Sequence, residues 1–223
     1  MLWPTICVDN FFEDPEKVKE FSDTLNFNKD PLGKWPGERT IHLHEINKEF
    51  FEFVTKKIIS ILFPINYRDM RWQAIQTFQK INGNIYKNNG WVHSDSPNEL
   101  TAIVYLSNHL KCGTSLFKLK KFFYNPINNN YKKEFYKEVN KITADNKYLT
   151  DNKYLNENNE RFEKILTVDS RFNRIVIFDS NHFHAAEKFI EENINEDRLT
   201  LITFFTNISG NYNKYPLTEM KRV

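Results

Sequence analysis

The chain has 223 residues, 40% of them hydrophobic and 27% charged, which is the composition of an ordinary globular protein with enough residues for one sizeable core. A net charge of +2 gives no support to nucleic acid or an anionic membrane as a partner. Two cysteines cannot form a disulfide framework, and neither a signal peptide in residues 1–10 nor a membrane-spanning apolar run is present. We therefore expect residues 1–223 to form a single cytoplasmic domain.

Patterns in the first third of the chain predict one strand and two helices, at residues 5–8, 15–25 and 47–61. Asp14 followed by Pro15 is typical of a helix start, since Asp caps free N–H groups and Pro suits the first turn. The second helix is indicated by apolar residues spaced at three and four. Two Pro and two Gly in residues 30–37 predict a loop between the helices.

Further along, the pattern changes to short β-type runs separated by Gly, Asn and Asp. The predicted strands lie at residues 71–81, 100–106, 115–119, 174–178 and 199–207. Aromatic residues make up 15% of the chain, with 20 Phe and 10 Tyr, and such side chains suit a pleated, half-buried surface. Helices followed by strands predict an α+β, mainly β domain whose sheets form a sandwich or barrel.

Residues 120–165 differ from their surroundings, because they are rich in Asn, Lys, Tyr and Glu. The motif DNKYL occurs twice there, at residues 145–149 and 151–155, which is too few copies for a solenoid. We interpret the segment as an insertion between two core strands, partly helical around residues 132–141. A lid over a site and a solvated surface excursion are equally compatible with it.

The run WVHSD contains His93 and Asp95, which are two residues apart and would point to the same side of a strand. Alone, this pair is a weak signal, and a capped turn is the alternative. The run at residues 174–184 adds two distant histidines, His182 and His184. Two imidazoles and one carboxylate on one face of a metal leave three positions open, as non-haem Fe(II) oxygenases require, although Zn(II) also suits these ligands.

Arg198 begins a strongly apolar strand. Its side chain either stays solvated at the strand end or points inward, where it needs an anionic partner because a buried unpaired charge is costly. A dicarboxylate such as 2-oxoglutarate is such a partner, through a bidentate contact with the guanidinium group. Thr200 lies on the same side of the strand and adds a hydroxyl group.

Taken in chain order, these motifs resemble the prolyl-4-hydroxylase-like branch of the Fe(II)- and 2-oxoglutarate-dependent oxygenases. They are H-x-D at 93–95, TAIVYLS at 101–107, CGTSLF at 112–117, RIVIFDSNHFH at 174–184 and RLTLITFF at 198–205. The opening VDNFFEDPE is also similar, so the resemblance covers most of the chain outside residues 120–165 and the last dozen. Two departures are present: Cys112 stands where the family often has Gly, and the span from His184 to Arg198 is longer.

The resemblance implies a double-stranded β-helix, or jelly-roll, core with the N-terminal helices packed outside. It implies that the metal ligands are His93, Asp95 and His184, with His184 chosen over His182 because it lies six residues after Phe178. Arg198 would bind the distal carboxylate of 2-oxoglutarate. The remaining co-substrate candidates are Tyr105, whose hydroxyl would donate to that carboxylate, Thr200, and, more weakly, Gln79 on the preceding strand.

The implied reaction uses Fe(II), 2-oxoglutarate and O2, hydroxylates a C–H bond, and releases succinate and CO2. Since Asp95 occupies the carboxylate position, no metal position is freed for chloride, and hydroxylation is expected instead of halogenation. The substrate would be a peptide or protein side chain or a small molecule, a step that rests on analogy alone. The alternatives are a non-catalytic jelly-roll protein that binds a metal or a partner, and a zinc hydrolase on a cupin-like barrel.

Several other residues have a structural interpretation beside a functional one. His42 and His44 alternate as in a strand, and we interpret them as structural, with substrate contact as the outside alternative. Residues 35–39 either shape the mouth of the site or form a simple turn. Trp91 is expected in the core.

Overall fold

The computed structural model describes residues 3–31, 35–82, 90, 92–95, 97–119, 162–192 and 194–210. Its helical elements are α1 (Pro15–Asp23), α2 (Leu43–Ile46), α3 (Lys48–Leu62) and a 3-10 turn at Tyr67–Asp69. None of the helices in these ranges combines the length and the apolar character that crossing a membrane requires.

The strands form two antiparallel sheets, so the described part of the chain is mainly β. The strands are β1 (Ile6–Val8), β2 (Asn28–Lys29), β3 (Glu38–Arg39), β4 (Arg71–Ile81), β5 (Leu100–Tyr105), β6 (Thr114–Leu119), β7 (Phe162–Val168), β8 (Arg174–Asp179), β9 (Phe183–Ala186) and β10 (Arg198–Ser209). Seven strands form one sheet in the order β1-β8-β5-β10-β4-β3-β2, and three form the other in the order β7-β6-β9. Long strand β10 therefore lies between β4 and β5, near the middle of the larger sheet.

Both predicted helix starts are confirmed by their caps. The Asp14 side chain accepts a hydrogen bond from the backbone N–H of Lys17 at 3.2 Å, and Pro15 occupies the first turn. The Asn47 side chain accepts from the backbone N–H of Phe50 at 3.0 Å and begins α3. These bonds satisfy N–H groups that have no partner inside the helix.

Side chains alternate along β10, so its two faces have different surroundings. Leu199, Leu201 and Phe205 belong to the main hydrophobic cluster, together with α3 residues such as Ile58. The residues between them, beginning with Arg198, face the opposite side of the sheet because successive side chains alternate. One face of the sheet therefore packs on helices, and the other is free to form a site.

Two local predictions are corrected. The stretch around His42 and His44 is not a strand, because Leu43 is buried and its carbonyl accepts from Asn47 N–H at 2.8 Å, which closes the short helix α2. Residues 162–165 belong to strand β7, paired with β6, and not to an insertion. Strand β9 was not predicted. The rest of the proposed insertion, with its repeat and predicted helix, lies outside the described residues.

Replacement of Ile58 by Ala should lower the free energy of unfolding by about 2–5 kcal/mol, because it leaves a cavity between α3 and the sheet. Ile58 is fully buried, whereas Ile65 is 89% exposed. Ile65→Ala is therefore the matched control, with an expected change within about 0.5 kcal/mol. Urea unfolding measures both variants, and equal losses would contradict this account of the core.

Candidate functional site

Strand β9 brings the two ends of the proposed metal site together. His93 and His184 form an antiparallel bridge in which each backbone N–H donates to the carbonyl of the other, at 2.9 and 2.8 Å. Residues paired in this way project their side chains to the same face. The two imidazole rings consequently lie 4.3 Å apart, centroid to centroid.

Asp95 completes the group from the same loop as His93. Its backbone N–H donates to the carbonyl of Ser180 at 2.8 Å, which holds the loop against the turn before β9. One carboxylate oxygen lies 3.6 Å from Nε2 of His93 and the other lies 3.2 Å from Nε2 of His184. All three candidate ligand atoms lie within 4.8 Å of one another, close enough to share one ion.

The ring of His184 is held in the tautomer that a metal ligand needs. Its Nδ1 lies 2.9 Å from the carbonyl oxygen of His182, which can only accept, so Nδ1 carries the proton and donates. Nε2 is then left as the ligand atom, facing Asp95. Burial disfavours the imidazolium form, but attraction by the Asp95 charge outweighs it and raises the pKa of His184. His182 thus contributes its carbonyl, while its own ring lies outside the three-ligand group.

Two hydroxyl groups orient the carboxylate of Asp95. Thr101 donates to its Oδ2 at 2.9 Å, and Ser180 lies 2.7 Å from the Thr101 hydroxyl, to which it must then donate. Burial opposes ionisation of Asp95, but the neighbouring imidazoles and the Thr101 hydrogen bond outweigh it and hold the pKa of the carboxyl well below its usual range. Thr101 was not predicted as a site residue, because a Thr in an apolar strand has the same pattern when it is only structural.

Arg198 and Thr200 lie on the wall of a cavity of about 240 Å³ that also contains the His93, Asp95 and His184 group. Arg198 is only 5% exposed, and burial lowers the pKa of its guanidinium. One terminal nitrogen donates to the carbonyl of Cys112 at 3.2 Å, whereas Nε has no hydrogen-bond partner. The Thr200 hydroxyl is also buried without a partner. No carboxylate of the described residues pairs with Arg198, so this part of the wall presents a cation and an unpaired hydroxyl group to the cavity.

Gln79 and Tyr105 flank Thr200 on β4 and β5, as its direct cross-strand partners. Gln79 lines the cavity, with its side-chain N–H donating to the Pro36 carbonyl at 2.8 Å. Tyr105 lies behind the wall: its hydroxyl is 2.7 Å from the hydroxyl of Thr114, which does line the cavity. Burial raises the pKa of Tyr105 to about 12, so the phenol stays protonated.

Two cavity residues come from strand β3 and the loop before it. Arg39 and Trp35 both line the cavity, and the guanidinium carbon lies 4.6 Å from the centroid of the Trp35 ring. This supports the interpretation of residues 35–39 as part of the site's mouth. Arg39 itself was not predicted as a site residue, because the sequence gives no sign that β3 adds to the sheet edge. Trp91 lies outside the described residues.

Two other groups of potential metal ligands are weaker candidates for a metal site. His42, His44 and Glu45 lie together at the surface, which supplies the carboxylate that the sequence did not suggest, but they do not line the cavity. His109 lies close to Cys112 and Glu191, yet both its ring nitrogens are occupied by backbone groups, the carbonyl of Glu196 at 2.7 Å and the N–H of Glu191 at 3.2 Å. His109 therefore connects neighbouring loops through these two hydrogen bonds.

Comparison with known proteins gives a family and a fold. The profile of a family of unknown function, DUF6445, matches residues 3–205. No curated protein matches the sequence significantly. Among solved structures, the α-ketoglutarate-dependent non-haem epimerase SnoN from nogalamycin biosynthesis is similar with a TM-score of 0.56 and 10% identity, over 91% of this chain and 78% of that one.

Two further structures share this fold at similarly low identity. HygX from Streptomyces hygroscopicus, solved with nickel and 2-oxoglutarate, has a TM-score of 0.51 and 10% identity, over 90% of this chain and 82% of its own. EvdO2 from Micromonospora carbonacea var. aurantiaca has a TM-score of 0.51 and 9% identity, over 98% and 92%. The chain therefore has the fold of these enzymes, and its chemistry has to be argued from its own residues.

Proposed function

This chain belongs to the DUF6445 family, and we propose that it is an Fe(II)- and 2-oxoglutarate-dependent oxygenase that hydroxylates a C–H bond of an organic substrate. The observation that carries the proposal is one cavity with two complementary parts. Two imidazoles and a carboxylate converge at one place. On the same wall lie a buried arginine whose Nε has no hydrogen-bond partner and a threonine hydroxyl that also has none. The fold shared with 2-oxoglutarate-dependent enzymes supports the same function.

The ligands would be His93, Asp95 and His184. The donor set fits a divalent metal, because two imidazoles and a carboxylate lie within 4.8 Å of one another and all three residues line the cavity. Iron with 2-oxoglutarate and O2 supplies the oxidising chemistry when bound, yielding succinate, CO2 and a hydroxylated substrate. The Thr101 hydroxyl and the His182 carbonyl would keep the ligands in orientation.

Arg198 and Thr200 would hold the distal carboxylate of 2-oxoglutarate. The unsatisfied Nε of Arg198 and Oγ1 of Thr200 are donors of the type that a carboxylate accepts, and the buried position strengthens both bonds. Gln79 would add to the wall beside them. Tyr105 would act through the Thr114 hydroxyl that it contacts.

The finer assignments form part of the same proposal. We place the chain in the prolyl-4-hydroxylase-like branch, with residues 1–223 as one double-stranded β-helix domain. Hydroxylation is proposed over halogenation because Asp95 keeps the carboxylate position filled. SnoN has been solved with Fe3+, α-ketoglutarate and nogalamycin RO, and HygX with hygromycin B, which makes a small molecule as reasonable a substrate here as a protein side chain.

The direct test is formation of succinate from 2-oxoglutarate by the purified protein under air. We expect slow succinate release that requires added Fe(II), is absent with Zn(II), and is lost in His184→Ala. The readout is NMR of 2-oxoglutarate and succinate with metal analysis of the same samples. Zn(II) bound at full occupancy with no turnover under any Fe(II) condition would contradict the proposal.

Thr101→Val should weaken metal binding by about 10–100-fold, the usual effect of removing a group that orients a ligand. Val keeps the shape of Thr but cannot donate to Asp95 Oδ2. Thr55 provides the matched control, because it is equally buried but its hydroxyl bonds to the Phe51 carbonyl within α3. Calorimetric titration with Ni(II) should distinguish the two variants, and equal affinities would remove Thr101 from the site.

A further inference from the structure

Arg39 is a second cation on the cavity wall, and the proposed co-substrate site does not use it. It pairs across the sheet with Gln79, which in turn pairs with Thr200, so the three side chains share one face. Gly37 positions the preceding turn, because its φ of +70° and its contact with the Lys80 carbonyl leave no room for a side chain. The pairing of β3 with β4 therefore places Arg39 on the cavity wall.

Among the residues that the structure describes, no carboxylate forms an ion pair with the guanidinium group of Arg39. Burial lowers its pKa to about 10, and the charges of Asp95 and Asp30 partly oppose this effect. Its Nε and the indole N–H of Trp35 are both buried without hydrogen-bond partners. Stacking on the Trp35 ring stabilises the cation but leaves these donors unsatisfied.

Charge balance distinguishes Arg39 from Arg198. A divalent metal bound by Asp95 leaves one positive charge, and Arg198 adds a second. The dianion 2-oxoglutarate neutralises both. Arg39 is then the uncompensated charge on the described wall of the loaded cavity. A guanidinium group in that position favours a carboxylate or a phosphoryl group, whose oxygens match its paired N–H donors.

Another part of the cavity wall is apolar. Ile103, Ile202 and Phe204 line the same cavity. Phe204 pairs with Ile75, which is 44% exposed, so the apolar surface continues from the cavity towards solvent. A ligand that reaches Arg39 past these residues would bury apolar surface along the way.

We propose that the substrate is an organic anion, with an apolar body against Ile202 and Phe204 and a carboxylate or phosphoryl group bound by Arg39 and Trp35. This inference rests on the proposed function, because it requires that 2-oxoglutarate is bound by Arg198 and leaves Arg39 available to the substrate.

The test uses protein loaded with Mn(II) and saturating 2-oxoglutarate, with loading measured first. Three fluorinated probes are titrated and followed by broadening of their ¹⁹F signals by the paramagnetic metal: 4-fluorophenylacetate, 4-fluorophenyl phosphate and the neutral 4-fluorophenylacetamide. The proteins are the wild type, Arg39→Gln, Arg39→Lys, Arg198→Gln and Arg171→Gln, the last a change at an exposed arginine outside the cavity. A Zn(II)-loaded sample gives the diamagnetic reference.

We expect at least one anionic probe to bind tenfold or more tightly than the amide in the wild type and in Arg171→Gln. The preference should vanish in Arg39→Gln and survive in part in Arg39→Lys, and the better anion identifies carboxylate or phosphoryl as the preferred group. No preference in the wild type, or a preference that persists in Arg39→Gln, overturns the inference. Arg39→Gln weakening 2-oxoglutarate as strongly as Arg198→Gln also overturns it, by assigning Arg39 to the co-substrate. Failure of the wild type to load refutes the proposed function itself, and this inference with it.

Discussion

Asp95→Ala is expected to abolish succinate formation and to weaken metal binding by more than the roughly 10–100-fold that loss of an orienting neighbour causes. Asp95 is the sole acidic side chain on the described wall of the cavity, which also carries Arg39 and Arg198. Without it, a divalent ion would meet two neutral imidazoles and two cations. Electrostatic repulsion would then oppose the ion that the remaining ligands attract.

One further variant separates the effect of charge from that of packing, and a second serves as a control. Asp95→Asn keeps the shape and can still contact Thr101, but it removes the negative charge, so we expect nearly the same loss of metal. Asp69→Ala removes an exposed aspartate from the 3-10 turn and should change nothing. Ni(II) calorimetry and succinate NMR are the two measurements. Normal turnover in Asp95→Ala would mean that the metal, if any, is held elsewhere.

Local patterns predicted the elements that frame the site. Alternation in β10 was visible in the sequence, where apolar Leu199 and Leu201 enclose Thr200, and the structure buries all three on their respective faces. Caps and apolar spacing likewise located α1 and α3 to within about two residues. These signals are readable because each depends on residues close together in the chain.

The parts that escaped prediction depend on contacts between distant segments. Strand β9 has only four residues, and it exists because β6 and His93 pair with its two edges. Arg39 is brought to the cavity by a two-residue strand at the sheet edge. The contact of the Tyr105 hydroxyl with Thr114 is likewise one that no spacing rule could indicate. His93, Asp95 and His184 were recognised as a group from their resemblance to a family, and their proximity then followed from these pairings.

Arg198→Met should stabilise the protein in the absence of co-substrate while destroying its response to 2-oxoglutarate. The buried guanidinium has one hydrogen bond to a carbonyl and no anionic partner in the described residues, so its desolvation is poorly compensated. Replacing it with an apolar side chain of similar length should raise the free energy of unfolding by about 1–2 kcal/mol. For a chain of this size that shift raises the Tm by roughly 2–8 °C.

Binding of 2-oxoglutarate reverses the order of stability of the wild type and Arg198→Met. At a 2-oxoglutarate concentration of 100 times Kd, the wild type with a redox-inert metal should gain about 2.7 kcal/mol. The variant should lose about 3–5 kcal/mol of binding energy, a Kd increase of at least about 100-fold, and gain no measurable stability. Arg171→Met is the matched control, since this arginine is exposed and pairs with Asp9 at 3.4 Å, and its change should stay within about 0.5 kcal/mol.

Thermal unfolding of the three proteins, with and without 2-oxoglutarate, distinguishes a functional from a structural arginine. A functional Arg198 gives opposite effects in the two conditions, because the same unpaired charge destabilises the empty cavity and binds the dianion. An arginine retained for the fold would instead give a destabilised variant whose Tm still rises with 2-oxoglutarate. That second pattern would exclude Arg198 from the co-substrate site and leave the unsatisfied Thr200 hydroxyl without an explanation.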